Sequence, residues 1–242
     1  FGQSVAVSGN TALVGAYYDD DRGGNSGSAY VFTRSGTAWG LQRKLTASDG
    51  GSSDYYGFAV ALHNNTAVIG AYLEDQRAGN AGSAYVYART GNSWAVQGKL
   101  TASDGQGSDY FGHAVSVSGD LAAIGAYAED QRGGDSGAAY IFASSGTLWS
   151  QLQKITAQDG RGSDHFGRSI SISGDTVLVG SFQDDDKGSA SGSAYLYKRS
   201  GNTWDHFQKW VASDGAGSDH FGWAVSLSGD VHLVGSRYDD DL

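Results

Sequence analysis

The sequence predicts an all-β protein, a β-propeller built from four-stranded antiparallel blades. Three observations support this prediction: a 55-residue repeat, four short strand patterns in each repeat, and side chains that grow in size from the first strand to the last. Chance does not preserve a register over four intervals, and a fixed period of this length is typical of repeat architectures. The repeat begins at Phe1-Gly2, Tyr56-Gly57, Phe111-Gly112, Phe166-Gly167 and Phe221-Gly222.

This register divides the chain into four complete repeats and a partial fifth. The complete repeats are residues 1–55, 56–110, 111–165 and 166–220. Residues 221–242 repeat only the first two strands. We expect all five segments to belong to one propeller domain, and the chain to be part of a longer polypeptide.

Four runs within the first repeat have the pattern of short antiparallel strands. A tight turn at residues 8–10 separates the first two runs, and polar loops follow the second and fourth runs. Helical periodicity is not convincing anywhere in the repeat. Four such strands every 40 to 55 residues or so are typical of a propeller blade. The predicted strands are Ser4–Val7, Ala12–Ala16, Ser28–Arg34 and Trp39–Thr46.

The sizes of the side chains favour a radial arrangement. Blades diverge from a central axis, so the space between neighbours widens toward the rim and requires larger side chains there. The first two strands carry mainly Val, Ala and Gly, the third carries Tyr30 and Phe32, and the fourth carries Trp39. The gradient recurs in every complete repeat, whereas a flat stacked solenoid would not need it.

The amino-acid composition of the chain excludes several classes of binding partner. The net charge is −10 and the pI is about 4.8, which argues against nucleic acid and anionic membrane surfaces because both require clustered Lys and Arg. No apolar run approaches the ~20 residues of a spanning helix, so we expect no membrane insertion. The chain has no Cys, which excludes disulfides and thiolate metal sites.

Three segments of the repeat resemble the FG-GAP repeat: Phe-Gly-x-x-Val-x-Val-Ser-Gly at residues 1–9, Val-Gly-Ala-Tyr at 14–17 and Gly-Ser-Ala-Tyr-Val-Phe at 27–32. The FG-GAP repeat builds the propeller heads of integrin α subunits and of related bacterial and fungal proteins, some of them lectins. The resemblance covers all five segments. It implies a propeller fold, an extracellular or cell-surface location and a role in binding or adhesion, while one fold hosts many functions.

Two departures from the family pattern bear on function. Many FG-GAP repeats carry an Asp-x-Asp-x-Asp-Gly calcium loop between the first two strands. Here that position is a bare turn such as Ser8-Gly9-Asn10, so the ligands of that loop cannot be transferred to this chain. Tyr17, Tyr72 and Tyr127 also stand where the family name has Pro.

Acidic residues concentrate in the loop after the second strand and in the loop after the fourth strand, which emerge on the same face. Two interpretations remain open. The first is Ca²⁺, which prefers carboxylate and carbonyl oxygens. The second is a solvated acidic rim in which Asp20 caps turn amides and Arg22 pairs locally. The candidate calcium ligands are Asp19, Asp20, Asp21, Asp49, Asp54, Asp75, Asp104, Asp109, Asp130, Asp159, Asp164, Asp185, Asp214 and Asp219.

The aromatic residues suggest a surface for ligands, because sugars stack on aromatic rings. Four equivalent Trp residues, beginning with Trp39, could make a multivalent lectin, but an aromatic residue repeated once per blade usually packs between blades. Tyr17, Tyr18 and Tyr72 lie nearer the acidic loops and are our candidates for ligand contact. The six histidines show no metal-ligand spacing, and we interpret them as loop residues.

The sequence favours a non-catalytic protein, since no repeat carries a nucleophile, acid or base that the others lack. Our first hypothesis is an extracellular adhesion module that binds a protein or a glycan. The alternatives are a self-assembling surface or filament protein, which pairs with copies of itself through the open half-blade at residues 221–242, and a multivalent lectin. Asn64, in Asn64-Asn65-Thr66, is a candidate N-glycosylation site.

Overall fold

The computed structural model describes residues 1–240, and all eighteen of the elements in that range are β-strands. They form four sheets of four antiparallel strands and a fifth sheet of two. The described part of the chain contains no helix that could cross a membrane. The first two sheets are β1 (Val5–Ser8), β2 (Thr11–Ala16), β3 (Ser28–Ser35) and β4 (Ala38–Leu45), then β5 (Val60–His63), β6 (Thr66–Ala71), β7 (Ser83–Thr90) and β8 (Ser93–Leu100).

The remaining sheets repeat this order, and each lies within one repeat of the sequence. The third sheet is β9 (Ala114–Ser118), β10 (Leu121–Ala126), β11 (Ala138–Ser145) and β12 (Leu148–Ile155). The fourth is β13 (Phe166–Ser173), β14 (Thr176–Ser181), β15 (Ser193–Ser200) and β16 (Thr203–Trp210). The fifth is β17 (Phe221–Ser228) and β18 (Val231–Ser236).

The observed strands confirm the predicted ones to within one residue at each end. In the first sheet each strand pairs with the next along the chain, and Ser8 faces Thr11 across the tight turn that the sequence predicts. The third and fourth strands pair with a bulge, because Val31 faces Arg43 while Phe32 faces Leu41. This bulge leaves Gln42 without a partner in the ladder, and its side chain contacts the neighbouring sheet.

Close backbone contacts at glycines join neighbouring sheets. Gly27 forms a parallel bridge with Tyr56 of the next repeat, and the same bridge recurs at each later boundary. Gly57 has a φ of +85°, which favours glycine, and an added Cβ there would lie 2.2 Å from the Ser28 carbonyl oxygen. Tyr56, Phe111 and Phe166 are buried and Phe221 is partly buried, so the aromatic-Gly pair marks where two sheets meet.

The predicted gradient of side-chain size is confirmed, and it places the large residues between sheets. Trp94 and Trp204 are buried, and the Trp94 Nε1–H donates to Gln42 Oε1 of the preceding sheet at 3.0 Å. Trp39 of the first repeat is 44% exposed, since none of the described sheets precedes its own. Trp94 and Trp204 therefore have the core role that we expected, whereas Trp149 is only partly buried and Trp39 lacks that role.

The innermost strands β1, β5, β9, β13 and β17 surround a common cavity. Serine hydroxyls connect them, because Ser118 Oγ accepts a hydrogen bond from the Gly174 N–H and Ser173 Oγ accepts one from the Gly229 N–H. The two outer faces of the array expose apolar side chains, including Val5 on β1 and Leu233 on β18. Among the described residues β18 pairs only with β17, and self-assembly through this edge stays a prediction.

Candidate functional site

The acidic loops of the structure are built around lysines from the fourth strand of each four-stranded sheet. Lys99 Nζ lies 2.7 Å from Asp49 Oδ2 of the preceding repeat and 3.0 Å from Glu74 Oε1 of its own repeat. The Tyr85 hydroxyl donates to Asp49 Oδ1 at 2.8 Å. This cluster therefore joins two repeats with one lysine, two carboxylates and one tyrosine. The equivalent clusters are Lys154 with Asp104, Glu129 and Tyr140, and Lys209 with Asp159, Asp184 and Tyr195.

In each of these clusters the lysine lowers the pKa of one aspartate, namely Asp19, Asp49, Asp104 or Asp159. In the first repeat Lys44 pairs with Asp19 and Asp21. Burial alone would raise the pKa of Asp19, but hydrogen bonds from Lys44 and Tyr30 outweigh burial and lower that pKa to about 2. The pKa of Asp49 is lowered in the same way by Lys99. The ion pairs thus stay formed at neutral pH.

One cluster has the spacing of a metal site. Oxygens of Asp159, Asp184 and Asp186 lie within 4.8 Å of one another. Lys209 Nζ contacts all three carboxylates, at 2.7 Å, 2.9 Å and 2.5 Å respectively. The lysine ammonium therefore stands where a cation would bind. Among the predicted calcium ligands, Asp19, Asp21, Asp49, Asp104 and Asp159 surround lysines of this kind.

Most of the other predicted ligands accept hydrogen bonds from turn amides. Asp20, Asp130 and Asp185 each accept from the N–H five residues later. Asp54, Asp109, Asp164 and Asp219 are buried and each accepts from the N–H three residues earlier. Asp75 and Asp214 are exposed. The capping that we expected of Asp20 is confirmed, whereas Arg22 Nη1 donates to the Ser48 carbonyl oxygen, 26 positions away, at 3.2 Å. Calcium binding stays a prediction.

Sequence reasoning missed Glu74, Glu129, Asp184 and Asp186, which contact the lysines. The signal was present, since the lysines of the fourth strand recur every 55 residues in an acidic chain. What the sequence lacked was the distance between repeats, because the Lys99–Asp49 pair spans 50 positions.

Replacing Lys209 by methionine is expected to destabilise the protein by about 2 kcal/mol at pH 7, because Asp184 is buried and would lose its cationic partner, keeping only the hydrogen bonds from Tyr195 and the Asp186 N–H. We also expect millimolar Ca²⁺ to raise the melting temperature of this variant more than that of the wild type, since the three carboxylates would then have room for an ion. Thermal unfolding in CaCl₂ and in EDTA measures both effects. Lys187→Met, on an exposed loop lysine, is the control. An equal calcium response in all three proteins would contradict the assignment.

A second feature on the same face is a row of aromatic rings, which we call the aromatic arc. It runs from the first repeat to the fifth, and neighbouring ring centroids along it lie 5.0 to 5.8 Å apart from Tyr17 through Tyr55 to His220. Its members are Tyr17, Tyr18, Tyr55, Phe58, Tyr72, Tyr110, His113, Tyr127, His165, Phe182, His220, Trp223 and Tyr238.

The strand order places the aromatic arc beside the central axis. Tyr72 directly follows the second strand of its sheet, while Phe58 lies just before the innermost strand. Both positions lie at the end of the inner strands from which the acidic loops emerge. Most rings are half-buried, and Tyr18 is 58% exposed. The aromatic arc is therefore accessible to a ligand.

The aromatic arc is uncharged at neutral pH along most of its length. Burial, with the nearby Arg168 charge, lowers the pKa of His113 to about 3. Burial also raises the pKa of Tyr72 to about 12. Within residues 1–240, the buried Nδ1 atoms of His113, His165 and His220 have no hydrogen-bond partner. The surface thus combines neutral rings with unused polar atoms.

The structure brings together the three tyrosines predicted to contact a ligand. The rings of Tyr17 and Tyr18 lie 3.9 Å apart, and Tyr55 links Tyr17 to Tyr72. Our interpretation of the histidines as loop residues was incomplete, because His113, His165 and His220 belong to the aromatic arc. Their repeat positions mostly carry aromatic rings in other copies. The glycosylation candidate Asn64 lies at an exposed hairpin tip, and its modification stays a prediction.

The five sheets, their radial size gradient and the shared inner cavity define a β-propeller-like repeat protein. Comparison with family descriptions agrees at the level of sequence. The chain belongs to the FG-GAP repeat family, which it matches over residues 1–32, 39–87, 94–142, 149–197 and 204–242. A comparison with curated proteins gave no match.

Proposed function

We propose that this chain is a non-catalytic, extracellular binding module of the adhesion type, and that the aromatic arc is its ligand-contact surface. The observation that carries this proposal is the continuity of the aromatic arc across all five repeats. Contiguous, partly exposed apolar surface rimmed by polar residues is typical of interaction sites. Tyr and Trp rings suit such sites because they join a large apolar face to a polar edge.

The acidic loops have a supporting role in this proposal. Their carboxylates are largely engaged by lysines or by turn amides, so they stiffen the face on which the aromatic arc lies. The non-catalytic part of the proposal rests on the sequence, in which no repeat carries a nucleophile, acid or base that the others lack. The geometry suits a protein ligand as well as a glycan, and the lectin alternative is one form of this proposal.

Binding to panels of immobilised glycans and matrix proteins tests the proposal. We expect Tyr55→Ala to weaken the affinity for whichever ligand binds by roughly tenfold or more, since aromatic anchors dominate interface energies. Phe207→Ala removes an exposed aromatic residue from a fourth strand, away from the aromatic arc, and should leave the affinity unchanged. No binding on either panel, or equal loss in both variants, would contradict the proposal.

A further inference from the structure

We infer that the aromatic arc takes a ligand with a single anionic group, an acidic sugar of the hexuronate class, whose carboxylate is bound by Arg168. This inference rests on the proposed function and names the chemistry of its ligand. It comes from one residue that departs from the rest of the aromatic arc. The equivalent positions in the other repeats hold Gln3, Phe58, His113 and Trp223, so Arg168 alone among them carries a permanent positive charge.

Arg168 lies within the aromatic arc with its guanidinium group against aromatic faces. Its guanidinium carbon is 4.6 Å from the centroid of the Trp223 ring and 6.0 Å from that of Tyr127. Stacking of this kind orients the planar guanidinium and leaves its N–H groups free along the edge. Arg168 is thus held in place by contacts that use none of its hydrogen-bond donors.

The guanidinium of Arg168 has no ion pair and no side-chain hydrogen bond within residues 1–240. This is unexpected in a chain with 26 acidic residues and a net charge of −10. The other half-buried Arg and Lys side chains of the acidic loops and strands contact carboxylates or carbonyls, as Lys99 and Arg89 do. A half-buried cation without a partner is unfavourable, and an anionic ligand would supply that partner.

The groups around Arg168 make an unpaired positive charge there still less favourable. Arg237 approaches the same Trp223 ring, with its guanidinium carbon 4.2 Å from the centroid. Burial, together with the charge of Arg237, lowers the pKa of Arg168. His113, which is 7% exposed and carries an Nδ1 without a described partner, lies beside Arg168. Together these groups offer a positive site and a neutral hydrogen-bonding atom.

A hexuronate matches this arrangement better than other anions. Its carboxylate fits the planar fork of a guanidinium, and the C–H face of its ring can pack on Tyr127 or Trp223. The acidic loops around the site would repel a polyanion such as nucleic acid or a highly sulfated chain. A peptide with a free terminal carboxylate is the competing ligand, and the test separates it from the sugar.

Isothermal titration with glucuronate and with glucose tests the inference. We expect wild-type protein to bind glucuronate at least tenfold more tightly than glucose. Arg168→Gln introduces the residue found at the same position in the first repeat, and it should lower the affinity for glucuronate until the preference over glucose is lost. Arg168→Phe, which introduces the residue of the second repeat, is a further variant that preserves packing. Arg161→Gln, on an exposed loop arginine of the same face, should retain the preference.

The outcomes distinguish this inference from the proposed function. If Tyr55→Ala abolishes binding to a panel ligand but glucuronate binds no better than glucose, the hexuronate inference is wrong and the binding module stands. The inference is also wrong if a short peptide with a free terminal carboxylate binds through Arg168 and glucuronate does not. If neither the panels nor glucuronate bind, both are wrong.

Discussion

Replacing Gly125 by alanine is expected to destabilise the protein by about 4 kcal/mol or more, because the change forces two sheets apart. An added Cβ at this position would lie 2.0 Å from the carbonyl oxygen of Gly167 in the next repeat and 3.0 Å from its carbonyl carbon. Both atoms belong to the backbone, so a change of side-chain rotamer cannot relieve the clash. The φ of Gly125 is not in the left-handed region, and the cost is therefore steric. Urea unfolding followed by tryptophan fluorescence measures it.

The repeat supplies its own control for this prediction. Gly235 occupies the same position in the fifth copy, where an added Cβ would meet nothing closer than 3.8 Å. Gly235→Ala should therefore change the free energy of unfolding by well under 1 kcal/mol. Comparable losses in the two variants would show that strand propensity, rather than contact between sheets, explains the effect.

These glycines show why so much of the fold was predictable from the sequence. Strand bounds follow from local patterns, since alternation and turn residues act within a few positions. The 55-residue period also predicts the order of the sheets, because each repeat forms one sheet. The glycine contacts also give the family motif a physical meaning, because Gly15 and Gly57 lie in the same contact between sheets. The sequence marks both residues as repeated, although it does not show that they touch.

The candidate site was less predictable because its contacts cross between repeats. Tyr17, Tyr18 and Tyr72 could be placed on the loop face from strand order alone. Tyr55 contacts both Tyr17 and Tyr72. These contacts depend on the rotation between adjacent sheets, and no local sequence pattern encodes that rotation. The lysine contacts of the acidic loops were unpredictable for a related reason, since these lysines lie 23 to 50 positions from the carboxylates that they bind.

The stability of the protein toward acid is expected to depend on His113. Its pKa is about 3 in the folded protein, against 6.5 for an ordinary histidine, because of burial and the Arg168 charge. As the pH falls through 6.5, the unfolded chain binds a proton that the folded protein does not bind until about pH 3. The contribution of His113 to stability is thus full above pH 6.5 and declines on the order of 4 kcal/mol between pH 6.5 and 3.

Two buried carboxylates act in the opposite direction over the same range. Burial raises the pKa of Asp109 and of Asp164 to about 6, despite a hydrogen bond from a backbone N–H in each case. Their folded state binds protons more tightly than the unfolded chain, so their contribution to stability is greatest in acid and declines as the pH rises from about 4 to 6. The change in the wild-type free energy of unfolding with pH is the sum of both effects. Only a comparison of variants isolates the contribution of the histidine.

His113→Phe makes that comparison, because Phe58 holds the same position in the second repeat and shows that the site accepts a phenyl ring. We expect the stability of the variant, relative to the wild type, to increase steadily as the pH falls from 7 to 4. Urea unfolding at pH 7, 5.5 and 4 measures this difference. The reciprocal change Phe58→His should introduce an acid-sensitive group, so its stability relative to the wild type should decrease over the same range. A difference that stays constant with pH in His113→Phe would show that His113 gains a proton as readily in the folded protein as in the unfolded chain.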